Sequence, residues 1–332
     1  MTFTERLQEK ARKDPKRVVF PEAGEARILQ AARRIKDMGI AYPLLIGVPD
    51  EVKALAAELE IPLDGFEIID TGDEALRQEV ISAFLAATGV FSEKALNRKL
   101  KQPLNYAAAL VRTGRADCLA AGISLPTGDV IHAAQLFIGM QEGVETPSSL
   151  GICEIPGYEG SEGNMLAITD CAVNMKPTSE ELADIAIASS ATVTDLLGWE
   201  PRIAMLSFST KGSSAHEDVD KVTRAVEIVR QRRPDLKVDG ELQLDAAIIP
   251  EIAKRKVPGG SSVAGHANIL VFPDLGAGNI GVKILQIFGH ALAHGPLMQG
   301  FAKPVTDFSR SAPVDEMVGN LTMLVARAQQ TT

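Results

Sequence analysis

Cysteine is scarce. The 332 residues hold three, Cys118, Cys153 and Cys171, an odd number with no CxxC spacing. That count excludes a disulfide framework and a zinc cluster, and it points to a reducing compartment. An excess of positive charge is missing too. With 34 basic against 43 acidic residues the net charge is −9, and no basic patch offsets it, so nucleic acid and anionic membrane are repelled. Nor is there a long apolar run: none approaches the ~20 residues of a membrane span, and the N-terminal stretch contains no signal-peptide core. The expectation is a soluble, cytoplasmic protein with neither nucleic-acid nor membrane partners. At 45% apolar and 23% charged residues the composition is that of a globular enzyme. The length suits about two domains.

What is present is an alternation of short β-branched runs with longer amphipathic segments, the pattern of βα units around mostly parallel sheets, so the fold class is α/β. In the first half, strands are read at Arg17–Phe20, Tyr42–Gly47, Phe66–Ile69 and Asp117–Ala121. Helices are read from Glu25 (Ile28, Leu29, Ala32 and Ile35 on one face), from Asp50 as cap to Leu59, from Asp73 to Gly89, and over Asn105–Val111. Ligands bind beyond the carboxyl ends of strands in such sheets, so the segment Ser124–Asp129, ahead of the helix carrying His132, is a candidate site loop. A break at Thr146–Ser149 marks a second unit. It starts with an antiparallel pair, Leu150–Ile155 and Met165–Cys171. Thr178 with Glu181 forms a capping box for a helix to Leu197. Strands at Arg202–Ser207, Leu236–Asp239 and Asn268–Phe272 follow, with helices between them and one after Asn279. A last strand over Gly295–Val305 and a helix from Val314 have no room for their own core, which predicts their return to the first domain. The domains are therefore read as 1–145 plus 296–332, and 146–295.

Several motifs carry chemistry on paper. Gly276-Ala277-Gly278-Asn279-Ile280-Gly281 is a literal GxGxxG opening a helix, which suits an anion. Pro273–Leu275 separates the strand from the glycines, and no acidic residue ends a later strand where a ribose partner belongs, so a nicotinamide-dependent dehydrogenase is the weaker reading. Ser209–Ser214 reads equally as a phosphate cradle or a helix-capping loop, without P-loop spacing. His290 and His294 share a helical spacing but lack an HExxH glutamate and a third ligand, so no metal is expected. Cys171 reads as a small hydrophobe rather than a nucleophile. Trp199 reads as a helix-end packing residue. The densest cluster is Lys303–Arg310 followed by Asp315 and Glu316: a guanidinium suited to phosphate beside a hydroxyl, then two carboxylates that either take a proton or favour a helix N-terminus.

At this cluster the chain resembles the phosphate acetyl/butyryltransferase family. VVFPEAGEARILQAA, NYAAALVRTGRADCLAAG, TDCAVN, MLSFSTKGS, DGELQLDAA, ANILVFPDLGAGNIGVK, GPLMQGFAKPV and DFSR look like family segments in the family's order. DGELQLDAA and MLSFSTKGS look more like the acetyl branch. The resemblance implies two three-layer αβα domains with a cleft between them, a homodimer, no metal and no tightly bound cofactor. It also implies reversible acetyl transfer between acetyl phosphate and coenzyme A, with coenzyme A or acetyl-CoA as substrate. By position, Ser309 and Arg310 match the family's active-site pair, Glu316 falls where many members have an Asp proposed as base, with Asp315 beside it as fallback, and Arg27 matches an Arg associated with coenzyme A. In Pro126–His132 the family's final Arg is replaced by His132, which lacks the permanent charge and the planar fork.

The expected reaction is direct attack in a ternary complex. Glu316 takes the thiol proton, Arg310 binds phosphate and developing charge, and Ser309 donates to the oxyanion. Thr127, His132, Gly278 and Asn279 are the substrate-binding candidates, with Arg27 at coenzyme A. The competing readings are transfer of a propionyl or butyryl group, a non-catalytic binder of acyl phosphate or coenzyme A, and the dehydrogenase.

Overall fold

Local signals fix the first elements. Thr2 Oγ1 accepts from the Glu5 amide and the Glu5 carboxylate accepts from the Thr2 amide, a capping box that starts helix α1 (Phe3–Lys13). The computed structural model describes residues 2–330 as two units. One runs to Met140 and resumes at Phe301, and the other is Gln141–Gly300.

In the first unit α1 is followed by β1 (Lys16–Phe20), α2 (Ala26–Asp37), β2 (Ala41–Ile46), α3 (Pro49–Glu58), β3 (Glu67–Ile69), α4 (Glu74–Thr88), α5 (Glu93–Lys99), α6 (Pro103–Arg112), β4 (Cys118–Ala121) and α7 (Thr127–Ala133), which continues as a π-helical turn over Ala134–Ile138. Asp73 caps α4 through the Leu76 amide, and Gly89, at φ 64°, ends it in the left-handed conformation that glycine adopts without strain. Asp50 does not cap α3. Val48 holds that position and Pro49 takes the first turn, where its fixed φ fits, leaving Asp50 one residue inside.

The second unit contains β5 (Ser148–Glu154), β6 (Met165–Thr169), α8 (Ser179–Leu197), β7 (Arg202–Leu206), α9 (Glu217–Arg232), β8 (Lys237–Leu242), α10 (Leu244–Ile248), α11 (Pro250–Lys256), β9 (Ile269–Val271), α12 (Leu275–Phe288) and β10 (Leu292–Gln299). The chain then adds β11 (Val305–Asp307) and α13 (Val314–Ala328) to the first. The single strand read over Gly295–Val305 is thus two strands: β10 pairs antiparallel with β5, and β11 pairs parallel with β4. α12 starts at Leu275, before Asn279, because the Asp274 carboxylate caps it.

The first unit's strands run in the order β3-β2-β1-β4-β11, all parallel. Val18, Phe20, Cys118 and Ala120 bury one face against Ile28, Leu29 and Ile35 of α2 and Met317, Leu321 and Leu324 of α13; α6 packs against β1 and β4. Strand side chains alternate between faces, so Val19 and Leu119 fill the opposite layer. The second unit's order is β10-β5-β6-β9-β7-β8, antiparallel through β6 and parallel beyond it. One face packs on α10 and α11 through Leu206, Leu242, Ala246 and Leu270, and α8 packs against β5, β6, β7 and β9. Both units are α/β with mostly parallel sheets. Among the described residues no helix is long and apolar enough to cross a membrane.

The Thr178–Glu181 capping box is complete, and Gly198 closes α8 in the left-handed conformation. Thr178→Ala is expected to cost about 1 kcal/mol, read as a lower urea midpoint with an unchanged slope.

Candidate active site

β4 and β11 lie side by side with Ala121 opposite Asp307. Two loops leave their carboxyl ends, one leading to Thr127 and the other to Ser309 and Arg310. The first is held by Glu22, a buried carboxylate just past β1. Its Oε2 accepts from the Gly122 amide at 2.7 Å, and its Oε1 accepts from the Ser124 amide at 2.6 Å, the Ser124 hydroxyl at 2.8 Å and the Leu125 amide at 3.1 Å. Backbone that would otherwise need water is thereby paired, and Thr127 is set at the start of α7.

Thr127 Oγ1 lies 2.5 Å from Asp307 Oδ2. The other oxygen, Asp307 Oδ1, is buried with no hydrogen-bond partner. It fits because residue 122 is glycine: a Cβ there would lie 2.1 Å from Oδ1. Burial is the main cause raising the Asp307 carboxyl to about 6; Glu22 adds to the rise, while Thr127 and Arg310 oppose it. An unpaired carboxylate oxygen in a dry setting favours the neutral acid in the same direction.

The second loop is clamped from α2. Arg27 Nη1 donates to the carbonyls of Arg310 and Ala312, both at 2.9 Å. Its guanidinium, expected at coenzyme A, therefore shapes the Ser309–Ala312 backbone. Ser309 Oγ is 3.1 Å from Ser311 Oγ. Arg310 is exposed, and its side chain makes no hydrogen bond or ion pair to a described residue, leaving its charge for a ligand. The two carboxylates on the first turn of α13 separate clearly. Asp315 Oδ1 is 2.5 Å from Arg34 Nη1, whereas exposed Glu316 makes no side-chain hydrogen bond or ion pair to a described residue. His132, on α7, lines a cavity of about 800 Å³ with Glu22, Ser124, Asp129, Lys99 and Asn105.

Gly278 and Asn279 belong to the second unit, where they seat the turn after β6. A Cβ at Gly278 would fall 2.5 Å from the Asp170 carbonyl oxygen, and Asn279 Nδ2 donates to the Cys171 carbonyl at 3.3 Å. Asp170 gathers that turn, accepting from the Ala172, Val173 and Asn174 amides. At the start of α12 the Asp274 carboxylate takes the Ala277 amide at 2.8 Å. A pyrophosphate would meet that negative charge, which counts against dinucleotide binding at the GxGxxG. Lys211, in the loop read as cradle or cap, donates to Asp239 Oδ1 at 2.5 Å and to the Gly240 carbonyl at 2.9 Å, and Ser209 Oγ donates to Glu241. That loop is tied to its own unit. His294 Nε2 sits 2.7 Å from Glu154 Oε1, and among the described residues no group of three His, Cys, Asp or Glu is arranged to hold a metal. Burial pushes the Cys171 thiol up to about 12, which leaves it protonated at neutral pH.

Sequence reasoning passed over Glu22 and Asp307. Both stand within or directly after a strand in segments quoted for the resemblance, and an acidic residue at a strand's carboxyl end was the available signal. Glu22→Gln would turn an amide NH2 toward backbone donors. It is expected to cost about 1–3 kcal/mol, measured as a lower denaturant midpoint.

Known proteins are similar to this chain in sequence and in fold. A phosphate acetyltransferase of Clostridium acetobutylicum is 41% identical over 334 residues, covering 99% of each chain. A phosphotransacetylase structure from Streptococcus pyogenes matches with a TM-score of 0.90 and 35% identity, over 99% of this chain and all of that one. The EutD phosphotransacetylase from Staphylococcus aureus matches with a TM-score of 0.87 and 33% identity, over 99% and 100%. The phosphate acetyl/butaryl transferase model matches residues 2–326, and the chain belongs to that family.

Proposed function

We propose that this protein transfers an acetyl group reversibly between acetyl phosphate and coenzyme A, with Ser309, Arg310 and Glu316 as its catalytic residues. The observation that carries the assignment is the pairing pattern at the end of β11 and the start of α13: Arg310 and Glu316 are unengaged, while the neighbouring Asp315 is bound to Arg34. That contrast favours Glu316 over Asp315 as the base. Coenzyme A enters as a substrate, and its thiol, with an ordinary pKa near ~8.5, is only slightly ionised at neutral pH. Glu316 removes the proton as sulfur attacks the acetyl carbonyl. The C–S bond forms, the bond from the acyl carbon to the phosphate oxygen breaks, and phosphate leaves with the electron pair. Arg310 holds the phosphoryl group and the charge it gains, and Ser309 donates to the tetrahedral oxyanion. Thr127 contacts the phosphoryl oxygens. His132 faces substrate from the cavity wall. Arg27 acts by fixing the Ser309–Arg310 backbone on which coenzyme A would rest. Gly278 and Asn279 enter as supports of the Cys171 turn rather than as direct phosphate donors, because their near neighbours are protein atoms.

The acyl group is acetyl rather than butyryl on the strength of the acetyltransferase relatives. The two units, divided at Met140 and Gly300, are taken as the two domains, and the compartment is taken as cytoplasm. The assembly is taken as a homodimer. Ile280, Ile284, Ile287 and Phe288 recur at helical spacing on α12 and, with Leu292, make up five of the twelve exposed large hydrophobic residues among those described. Exposed apolar surface gathered in this way marks an interface, and a second copy presents the same face to it.

Arg310→Ala is expected to lower kcat/KM at least about a hundredfold, and Glu316→Gln to lower kcat by a similar factor with little change in KM. Both are read as thioester formation with acetyl, propionyl and butyryl phosphate. An unchanged rate for either variant would remove that residue from the mechanism, and a preference for butyryl phosphate would reassign the acyl group. Ile284→Glu is expected to shift sedimentation from a dimer to a monomer; a wild-type monomer would sink the assembly.

A further inference from the structure

Across its contact with Asp307, the Thr127 hydroxyl either donates its own hydrogen or accepts one, according to the protonation of the carboxyl. A hydroxyl has one hydrogen and two lone pairs. When Asp307 is a carboxylate it can only accept, so across the 2.5 Å contact Thr127 spends its hydrogen on Asp307 and presents lone pairs to any phosphoryl oxygen nearby. When Asp307 is protonated it donates to Thr127 Oγ1, and the threonine hydrogen is free to bond an anion. We infer that Asp307 is a positioning residue that sets the direction of the Thr127 hydroxyl, so that Thr127 binds the phosphoryl group of the substrate only while Asp307 carries a proton. The inference rests on the acetyl phosphate reading above.

Three further observations support it. Asp307 Oδ1 is buried and unpaired, and leaving a charged oxygen in that state is costly. Gly122 brings the carboxyl to this position because a side chain there would collide with it. The Gly122 amide is already spent on Glu22. The charged groups acting on Asp307 are Glu22, which favours the proton, and Arg310, which opposes it. Asp129 and His132 stand on the same helix as Thr127. With its carboxyl raised to about 6, Asp307 is largely protonated below that pH and loses the proton as pH rises through it, so phosphoryl binding weakens toward pH 8.

The test compares KM for acetyl phosphate from pH 5 to 8 in wild type, Asp307→Asn, Thr127→Val and Thr127→Ser. The side-chain amide introduced by Asp307→Asn donates an N–H to Thr127 at every pH, so this variant should lose the rise in KM seen in wild type and bind about tenfold tighter than wild type at pH 8. Thr127→Val should raise KM at pH 5 and remove the rise, and Thr127→Ser should restore both. Titration of the substrate's own phosphoryl group is common to all four enzymes and cancels in their ratios. Should Asp307→Asn fail to fold, a Thr127→Val profile parallel to wild type would still overturn the inference, as would an Asp307→Asn profile parallel to it. Wild type that forms acetyl-CoA with such parallel profiles defeats this inference alone; wild type that forms none defeats the activity on which it rests.

Discussion

The first unit's site depends on one carboxylate that is not proposed to react. Glu22 takes four hydrogen bonds from Gly122, Ser124 and Leu125, and the loop they form could not otherwise leave a buried strand without stranding its amides. Each such bond contributes modestly to stability, but leaving the donors unpaired would cost more than the bonds return. The loop's path fixes where Thr127 stands, and Thr127 in turn meets Asp307. Rigid placement of polar groups is what a transferase requires when it holds an anion while charge redistributes, since donors already oriented need no rearrangement at the moment of reaction.

The same device recurs in the second unit. Asp170 gathers the turn after β6. Glu241 accepts from Ser209 Oγ, the Gly212 amide and Thr223 Oγ1. Asp239 pairs with Lys211 and accepts from Ser261. Asp170 holds the turn that follows it, while Glu241 and Asp239 bind donors from segments distant in sequence, and those contacts hold the Asp239 and Glu241 carboxyls below their usual range against the opposing effect of burial. Asp307 differs. Its single partner is a hydroxyl and its second oxygen is unpaired, so burial prevails and its pKa rises. The contrast separates Asp239 and Glu241, whose charged forms are favoured by the donors around them, from Asp307, whose neutral form is favoured by burial.

What the sequence made legible follows the range of the interactions. Thr178, Glu181 and Gly198 bracket α8, and Asp73 with Gly89 bracket α4, through contacts a few residues apart, so the chain states these helices locally. The valines at 219, 222, 226 and 229 recur with helical period and are buried in α9. α5 escaped because seven residues with one buried apolar side chain, Leu96, give too little period to detect. β10 was merged with β11 into one strand, and its first residues were missed, because its register shifts between His294 and Leu297 and those residues are exposed, which breaks the two-residue alternation. The Ser309, Arg310 and Glu316 cluster was visible because its members are close along the chain. Thr127 and Asp307 are 180 positions apart, and Glu22 lies about a hundred from the amides it binds, so no window of sequence contains either partnership.

The placement of His132 bears on what charge the site needs. At the wall of the first unit's cavity it stands among Glu22, Glu25 and Asp129 with Lys99 as the cavity's lysine, so the lining is acidic even though the expected ligands are anions. An arginine there would bring a fixed positive charge, and histidine brings one only when protonated. Glu22, however, is consumed by loop donors, which spreads its charge onto the backbone, and Arg310 keeps its guanidinium unengaged. Arg310 is not among the residues lining that cavity, and the Gly122, Ser124 and Leu125 amides are already spent on Glu22, so within the lining Lys99 carries the fixed positive charge. Beside a lining this acidic, the difference between a permanent cation and an imidazole at position 132 falls directly on the cavity's charge balance.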